Sequence, residues 1–407
     1  MVFSPDISST PIVQKYGGSS VATPERIKAV AERIAKRTKK AKLAVVVSAM
    51  GKTTDELIAL AYRISEEPHP REMDMLLGTG EQISAALLAI ALNDLGVRTK
   101  SVNAFQLRIT TTQDHSNARI LDFDLDVLLK TFKNHDVVVI TGFQGVTLEG
   151  DLTTLGRGGS DTSAVAVAAK LQCRCEIYSD VPGVFTCDPR VYPKARKLDY
   201  VTYDEMLELA SLGAKVLHSR AVELAKKYGV KLYCASSFTE ERGTYVVEKL
   251  PEWLEQPVVT GATIDTKQVE ATIMNIPNRR LLTDIFEAVA RANLNVDMIS
   301  IVEGDRGFHL SFTVVEDAAR HLRLVVESVL KDTEGWEMYL DDSVAKLSVV
   351  GVGMRSSAGV ASRFFSILAK KGIPFKTVTT SEIKISCLIP REDAQRALQT
   401  IAEEFKL

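Results

Sequence analysis

The sequence predicts an open, mostly parallel α/β sheet sandwiched by helices, followed by two small α+β modules. Two observations carry the first part. The runs 43–48 and 136–141 are nearly continuous in apolar residues, as strands buried on both faces are, and strands of this kind are repeatedly followed by a glycine-rich or polar loop and then a helix. The second part rests on a weak internal repeat, in which residues 285–296 match residues 364–375 at an offset of 79. Each copy reads strand, loop, amphipathic helix, strand, and then a further strand, at 307–315 and 383–389.

Taken in order, residues 11–16 form a short strand that runs into Gly17-Gly18-Ser19-Ser20, followed by a helix from about Thr23, with Pro24 in its first turn, to Lys40. Strand, glycine pair, helix is a phosphate-loop layout, although not of the G-x-x-x-x-G-K type. Lys15 reads either as a surface lysine beside a turn or as an ammonium aimed across the loop. The strand 43–48 ends in a polar loop before another helix. Ligands of open α/β sheets bind at the carboxyl ends of strands, so Ser48, Thr53 and Thr54 are placed to line a site, with helix capping the alternative for Thr53. Gly78-Thr79-Gly80 precede a helix whose first turn carries Glu81, which either complements the helix dipole or meets a cation. The strand 136–141 leads through Gly142-Phe143-Gln144-Gly145 into a hairpin over 146–154.

That hairpin feeds Thr153-Thr154-Leu155-Gly156-Arg157-Gly158-Gly159-Ser160-Asp161, and the Ala/Val-rich run 162–171 reads as a helix starting at Ser160 or Asp161. A helix N-terminus with unpaired N–H donors, beside the guanidinium fork of Arg157, is an anion seat. A plain glycine-rich loop capped by Ser160 is the other reading. The strand 175–179 ends in a structured loop over 180–190 containing Asp180, Phe185 and Arg190. Helices are expected over 203–212 and 215–228, with Lys215 at the break. A polar stretch around Trp253, bracketed by Pro251 and Pro257, marks a domain boundary. The expected organisation is therefore 1–250, a linker over 251–257, a module over 258–340 whose first strand, 258–264, could pair with the second module, and a second module over 341–407.

Composition limits the function. The chain has 407 residues, 45% hydrophobic and 25% charged, enough for two or three cored domains, and its formal charge of −2 offers no attraction to nucleic acid or an anionic membrane. Its five cysteines form no C-x-x-C pair and suit a reduced compartment. Without a leader-like N-terminus or a long enough apolar run, a cytoplasmic protein is expected. There is no H-E-x-x-H, Cys/His cluster or G-x-S-x-G, which points away from zinc hydrolases and serine esterases, and no metal held by protein side chains is expected. Lysines, glycine turns and acids at strand ends suit phosphoryl transfer. A carboxylate acceptor, ionised at neutral pH with a reference pKa near ~4, would need no general base, and no histidine stands beside the motifs.

Taken together, Lys15-Tyr16-Gly17-Gly18-Ser19-Ser20-Val21, Val47-Ser48-Ala49-Met50-Gly51, Gly80-Glu81, Gly142-Phe143-Gln144-Gly145, residues 153–161, Ser179-Asp180-Val181-Pro182-Gly183, Asp188-Pro189-Arg190, Gly213-Ala214-Lys215-Val216-Leu217-His218 and Thr380-Ser381-Glu382-Ile383-Lys384-Ile385-Ser386 resemble aspartate kinase of the monofunctional form. The resemblance implies an amino-acid-kinase fold followed by two ACT modules. It also implies ATP and Mg²⁺ as cofactors and L-aspartate as acceptor, in the first step towards lysine, threonine and methionine. By motif, Lys15 with Tyr16, Gly17 and Gly18 would neutralise the transferring phosphate, and Asp161 would orient the catalytic groups. Arg157 would grip the aspartate α-carboxylate and Glu81 its ammonium, with Ser48, Thr54, Phe143, Gly158 and Ser160 completing the pocket. Ser179, Asp180, Phe185, Arg190 and Lys215 would surround the nucleotide. A lysine or threonine effector would meet Asn275, Pro277, Asn278 and Ser300 in the first module and Met354, Ser381 and Glu382 in the second. A homodimer or dimer of dimers through the ACT modules is implied, with neither nucleic acid nor membrane as a partner.

Two positions depart from the family pattern. Leu217-His218-Ser219-Arg220 stands where many relatives have Leu-His-Pro-Arg. Asn275-Ile276-Pro277-Asn278 stands where effector-binding modules carry Asp-x-Pro-Gly, and Arg279-Arg280 follow it, so effector binding at residues 275–301 is expected to be altered or weak. A kinase for another acidic acceptor and a non-catalytic amino-acid sensor are the competing readings; the sensor would be expected to have lost Lys15, Glu81, Arg157 or Asp161, and all four stand.

Overall fold

The structure, a computed structural model, describes residues 11–211, 216–251, 258–355, 357 and 359–407. These fall into two compact units. Residues up to Val184, from Lys197 to Ser211 and from 216 to 251 form one; Phe185–Arg196 and the residues from 258 onward form the other.

The first unit opens with β1 (Ile12–Tyr16), α1 (Pro24–Thr38), β2 (Leu43–Val47), α2 (Thr53–Tyr62), α3 (Pro70–Asp94), β3 (Thr99–Val102) and the short α4 (Ala104–Leu107). Thr23 caps α1 by accepting from the Arg26 N–H, and Pro24 occupies the first turn, where its missing N–H costs nothing. Next come β4 (Thr110–Thr111), β5 (Ile120–Asp122), α5 (Leu125–Asn134), β6 (Val137–Thr141), β7 (Gln144–Val146), β8 (Leu152–Thr154), α6 (Gly159–Leu171) and β9 (Cys175–Ser179). The unit closes with β10 (Tyr200–Thr202), α7 (Tyr203–Ser211), α8 (Ser219–Tyr228), β11 (Leu232–Ser236) and β12 (Thr244–Val247).

Eight strands form one sheet in the order β10-β12-β11-β9-β1-β2-β6-β3, parallel throughout except between β11 and β12. Every residue of β2 and β6 is buried, as their unbroken apolar runs demand. The register aligns Tyr16 with Val47, Val47 with Thr141 and Tyr16 with Tyr178, so the carboxyl ends of β1, β2, β6 and β9 lie along one edge. A small second sheet, β5-β4-β7-β8, contains the expected hairpin, in which Gln144 faces Thr154.

Three expectations need correction. Glu81 does not begin a helix: α3 runs unbroken for 25 residues and places it mid-helix, so it has no role as a dipole partner. The glycines that suggested a break are contact points instead. A Cβ on Gly78 would lie 2.6 Å from Leu152 Cδ2, and one on Gly80 would lie 2.8 Å from Ala49 Cβ. α3 is also long and apolar enough to cross a membrane by length and composition alone, yet half of its most apolar window is buried inside the unit and its buried side carries Asp74 and Glu81. Among the described residues, the helix expected from 215 begins only at Ser219, because Val216 and Leu217 are still turning into the His218 N-cap.

The second unit contains β13 (Gly261–Asp265), β14 (Gln268–Ile276), α9 (Arg279–Arg291), β15 (Asp297–Gly304), β16 (Gly307–Val315), α10 (Ala319–Leu330) and β17 (Glu337–Asp341). It ends with β18 (Val344–Val350), α11 (Val360–Lys370), β19 (Lys376–Thr380), β20 (Lys384–Pro390) and α12 (Ala394–Phe405). One sheet has the order β15-β16-β14-β17 and the other β13-β18-β20-β19. These are the same arrangement, except that the second module takes its fourth strand, β13, from before the first. The first module is thus inserted between β13 and β18.

Residues 1–250 are not contiguous in the fold. Cys187 belongs to the second module's core, with Val191, Tyr192 and Ala195 packed against it, because Phe185–Arg196 supplies apolar cover for that core. Ala262 N–H donates to Thr186 O at 2.8 Å and Gln399 Nε2 to Val191 O at 2.9 Å. Of the linker 251–257, residues 252–257 lie outside the described residues. The cysteines are free thiols, four of them buried.

Helix-interior glycine normally costs about 1 kcal/mol relative to alanine. Gly80→Ala is nevertheless expected to destabilise the first unit by about 1–3 kcal/mol, since the new methyl meets a Cβ that cannot move without its backbone. Urea unfolding of the variant checks this; a variant as stable as the parent or more so would contradict it.

Candidate active site

The edge where the parallel strands end is lined by backbone that turns without side chains in the way. Gly17 N–H donates to Tyr178 O at 3.1 Å and Gly51 N–H to Gly18 O at 3.0 Å, closing the loop after β1 over the ends of β2 and β9. A Cβ on Gly18 would lie 2.8 Å from Ala49 O, so that position tolerates only glycine without movement. Tyr16 packs beneath, stacked on Tyr178 with ring centroids 5.0 Å apart.

Lys15 is no surface lysine. It is 9% exposed, its ammonium forms an ion pair with Asp161 Oδ1 at 2.7 Å, and a Cβ on Gly17 would lie 3.4 Å from its Nζ. Asp161 stands in the first turn of α6, which begins at Gly159, one residue earlier than the sequence suggests, because Gly158 adopts φ 70° as the N-cap. A Cβ there would lie 2.2 Å from His218 Cβ, so both the positive φ and the space require glycine. Gly159 N–H donates to Gly156 O and Thr162 N–H to Gly158 O, while helical geometry leaves the N–H groups of Ser160 and Asp161 without an intrahelical acceptor. Arg157 projects from this seat exposed, with no ion pair among the described residues.

Phe143 also adopts a left-handed φ, 69°, held by its N–H donating to Ser163 Oγ at 3.1 Å and its carbonyl accepting from Leu155 N–H at 2.9 Å. This brings its ring to the seat: a Cβ on Gly159 would lie 2.8 Å from Phe143 Cδ2, and one on Gly142 would lie 2.8 Å from Ser160 Oγ. Ser48 follows β2, with its N–H donating to Tyr16 O at 3.1 Å, and Thr54 stands in the first turn of α2.

Glu81 is 3% exposed. Its Oε1 accepts from the Ala49 N–H at 3.0 Å, and its Oε2 is buried with no hydrogen-bond partner. Burial pushes its carboxyl up to about 7, against the opposing pull of the hydrogen bond from the Ala49 N–H. A buried carboxylate oxygen facing no donor is a place for a cation. Gln144 is missed by sequence reasoning: it is fully buried, donates to Gly78 O and accepts from Thr141 Oγ1 at 3.2 Å, tying α3 to β6. Its place beside a strand end was legible, but its direction was not.

Ser179 Oγ accepts from Val181 N–H at 3.2 Å, and Asp180 follows it at the end of β9. Phe185 and Arg190, expected beside the nucleotide, belong to the fold of the second unit, where Arg190 bonds Asp188 at 2.7 Å. Lys215 lies outside the described residues. In the first module, Asn278 is extended at φ −153° and caps α9 through the Leu281 N–H, so the missing glycine imposes no backbone strain. Asn275 is left-handed at φ 59° and donates to Gly335 O at 3.1 Å. Pro277 and Ser300 are exposed there. Met354, Ser381 and Glu382 converge instead on one pocket of ≈ 450 Å³ in the second module, together with Ser357, Val360 and Thr380.

The amino acid kinase family model matches residues 10–236, and an ACT domain model matches residues 347–405. The chain is 44% identical to aspartokinase 2 of Bacillus subtilis over 399 residues, 97% of this chain and 98% of that one. It is 46% identical to the aspartokinase of Geobacillus stearothermophilus over 402 residues, 97% of each. Among solved structures, Escherichia coli aspartokinase III in complex with aspartate and ADP shares the fold, with TM-score 0.80 at 23% identity over 97% of this chain and 100% of that one. Aspartate kinase from Synechocystis matches at 42% identity and TM-score 0.53, over 97% of this chain and 69% of that one. A phosphate-loop layout at the sheet edge, a buried lysine–aspartate pair and near full-length likeness to these enzymes lead to one conclusion: the chain belongs to the aspartokinase family.

Proposed function

We propose that the chain transfers the γ-phosphoryl group of ATP to the side-chain carboxylate of L-aspartate, giving 4-phospho-L-aspartate. The observation that carries this reading is the buried Lys15 ammonium, held at 2.7 Å by Asp161 beside the glycine loop. Phosphoryl transfer needs positioning and charge neutralisation rather than covalent help. Lys15 supplies a cation at the loop, fixed in direction by Asp161, and the Ser160 and Asp161 N–H groups add donors at the α6 terminus. The acceptor carboxylate is already ionised at neutral pH, with a reference pKa of about 4, so no base is required. Glu81 holds the aspartate ammonium, Arg157 its α-carboxylate, and Ser48, Thr54, Phe143, Gly158 and Ser160 line the space between. Gly17, Gly18, Ser179 and Asp180 face the nucleotide, while Tyr16, expected there as well, is fully buried and supports the loop from beneath.

Among the described residues no group of three or more His, Cys, Asp or Glu side chains forms a metal site. We read Mg²⁺ as arriving on the nucleotide phosphates, with Asp161 as the neighbouring carboxylate. Bound there, the ion would neutralise phosphate charge. The ACT modules are read as a feedback device for lysine or threonine, acting through the pocket of Met354, Ser381 and Glu382, and as the surface through which a homodimer or dimer of dimers assembles. A soluble, cytoplasmic enzyme is the corresponding setting.

Trapping the acyl phosphate with hydroxylamine tests the activity. Aspartate with Mg·ATP should yield hydroxamate, and Lys15→Met should lower kcat by about 100-fold or more; hydroxamate from another acid and none from aspartate would redirect the assignment. The raised Glu81 carboxyl gives a pH signature. An ammonium binds the ionised form, so aspartate affinity should be full above pH 7 and weaken about tenfold per unit below it. Glu81→Gln should bind weakly with a flat profile; an unchanged pH slope in that variant would show that another group titrates. Amino-acid inhibition should disappear in Ser381→Ala and persist in Ser300→Ala, and the reverse pattern would place the effector in the first module.

A further inference from the structure

Helix α3 carries two buried carboxylates on one face, Asp74 and Glu81, seven residues apart and therefore two turns or about 10 Å along the axis. Glu81 faces the site. Asp74 is fully buried, and no lysine or arginine pairs with it among the described residues. Its partners are close: Thr154 Oγ1 donates to Oδ1 at 2.5 Å, Ser116 N–H reaches both oxygens at 3.1 and 3.0 Å, and His115 Nδ1 lies 2.7 Å from Oδ2.

Those partners form the bed of the anion seat. Thr154 ends β8, immediately before Leu155, Gly156 and Arg157. Ser116 belongs to the loop beneath: Ala118 N–H donates to Thr154 O at 2.9 Å, and a Cβ on Gly156 would lie 2.9 Å from Ser116 O. From the other side, Arg220 of α8 donates to Leu155 O at 2.7 Å and to Ala118 O at 2.6 Å. The seat and its bed are therefore clamped between a carboxylate of α3 and a guanidinium of α8.

We propose that Asp74 is a positioning residue that fixes the seat of Arg157 at a set distance from Glu81, so that α3 acts as the ruler between the two ends of a bound α-amino acid. Asp74 does not touch the substrate. It determines where the α-carboxylate clamp stands relative to the ammonium partner, both being tied to one rigid helix. This rests on the assignment of Arg157 and Glu81 to aspartate.

The test is steady-state kinetics on the full chain with Asp74→Ala, Asp74→Asn, Arg157→Lys and the double variant Asp74→Ala/Arg157→Lys, with thermal unfolding followed in parallel. Misplacing a clamp by about 1 Å can cost about 100-fold, so Asp74→Ala should raise KM for aspartate by about 10- to 100-fold while KM for ATP stays within about twofold. Asp74→Asn keeps an acceptor for Ser116 and the same shape, and should recover part of the loss. The double variant should be no worse than Arg157→Lys alone, because the two residues act through one contact. Equal rises in both KM values, or additive losses in the double variant, would overturn the proposal. If Asp74→Ala does not fold, Asp74→Asn decides by the same split between the two KM values. Arg157→Lys with an unchanged KM for aspartate would overturn the underlying assignment and this proposal with it, whereas impairment there with a normal Asp74→Asn would overturn this proposal alone.

Discussion

Helix α3 can approach the sheet only because Gly78 and Gly80 lack side chains, and the site depends on that approach. With a methyl at either position the helix would meet Leu152 or Ala49 at under 3 Å. At the distance the glycines permit, Glu81 reaches the Ala49 N–H at the end of β2, Gln144 reaches the Gly78 carbonyl and Asp74 reaches Thr154. A glycine in a helix interior costs conformational entropy, and here that cost is offset by polar contacts that no longer side chain would allow. The same closeness accounts for the Glu81 carboxyl. A group this buried loses solvation for its charge and gains only one backbone donor at Oε1.

The elements that organise the sheet were legible because their signals are local. The runs in β2 and β6 are apolar at every position, Thr23 and Pro24 announce α1, and Gly142-Phe143 marks the end of a strand. The 79-residue repeat located both small modules, since each needs one apolar helix face and alternating strands. α3 was misread for a physical reason: two glycines within three residues look like a break to any rule based on backbone propensity, and only the neighbouring chain shows that they are packing sites. Lys15 was legible in place but not in state, because it lies in a strand covered on both sides by neighbouring strands and its partner, Asp161, is far away in sequence. Asp74 carried no signal and Gln144 was legible in place but not in direction, as a polar residue in a helix or strand looks alike whether it faces water or a buried carbonyl.

The left-handed residues belong to the same picture. Gly158 at φ 70° and Phe143 at φ 69° are both left-handed at the seat, Gly158 close against His218 and Phe143 bonded through its N–H and carbonyl. Phe143 carries the steric cost of a side chain in this region because its N–H and carbonyl are both bonded to the seat's own residues, Ser163 and Leu155. Preorganisation of this kind places the donors of α6 before any ligand arrives, which is what an electrostatic site requires.

The route of the chain between its two units follows from packing as well. After β9 the chain leaves the first unit at Val184, contributes Cys187, Val191, Tyr192 and Ala195 to the second module's core, and returns at Lys197. Both ends of this excursion are fastened in the first unit: Val184 N–H donates to Thr244 Oγ1 at 2.8 Å, and Leu198 N–H donates to Val184 O at 2.8 Å. Its middle is fastened in the second unit by Ala262 N–H and by Gln399. Ser179 and Asp180, at the end of β9, therefore lie only a few residues from a segment that is part of the second module's core. Cys187 and Tyr192, packed in that core, are thus joined to the end of β9 by a short stretch of chain.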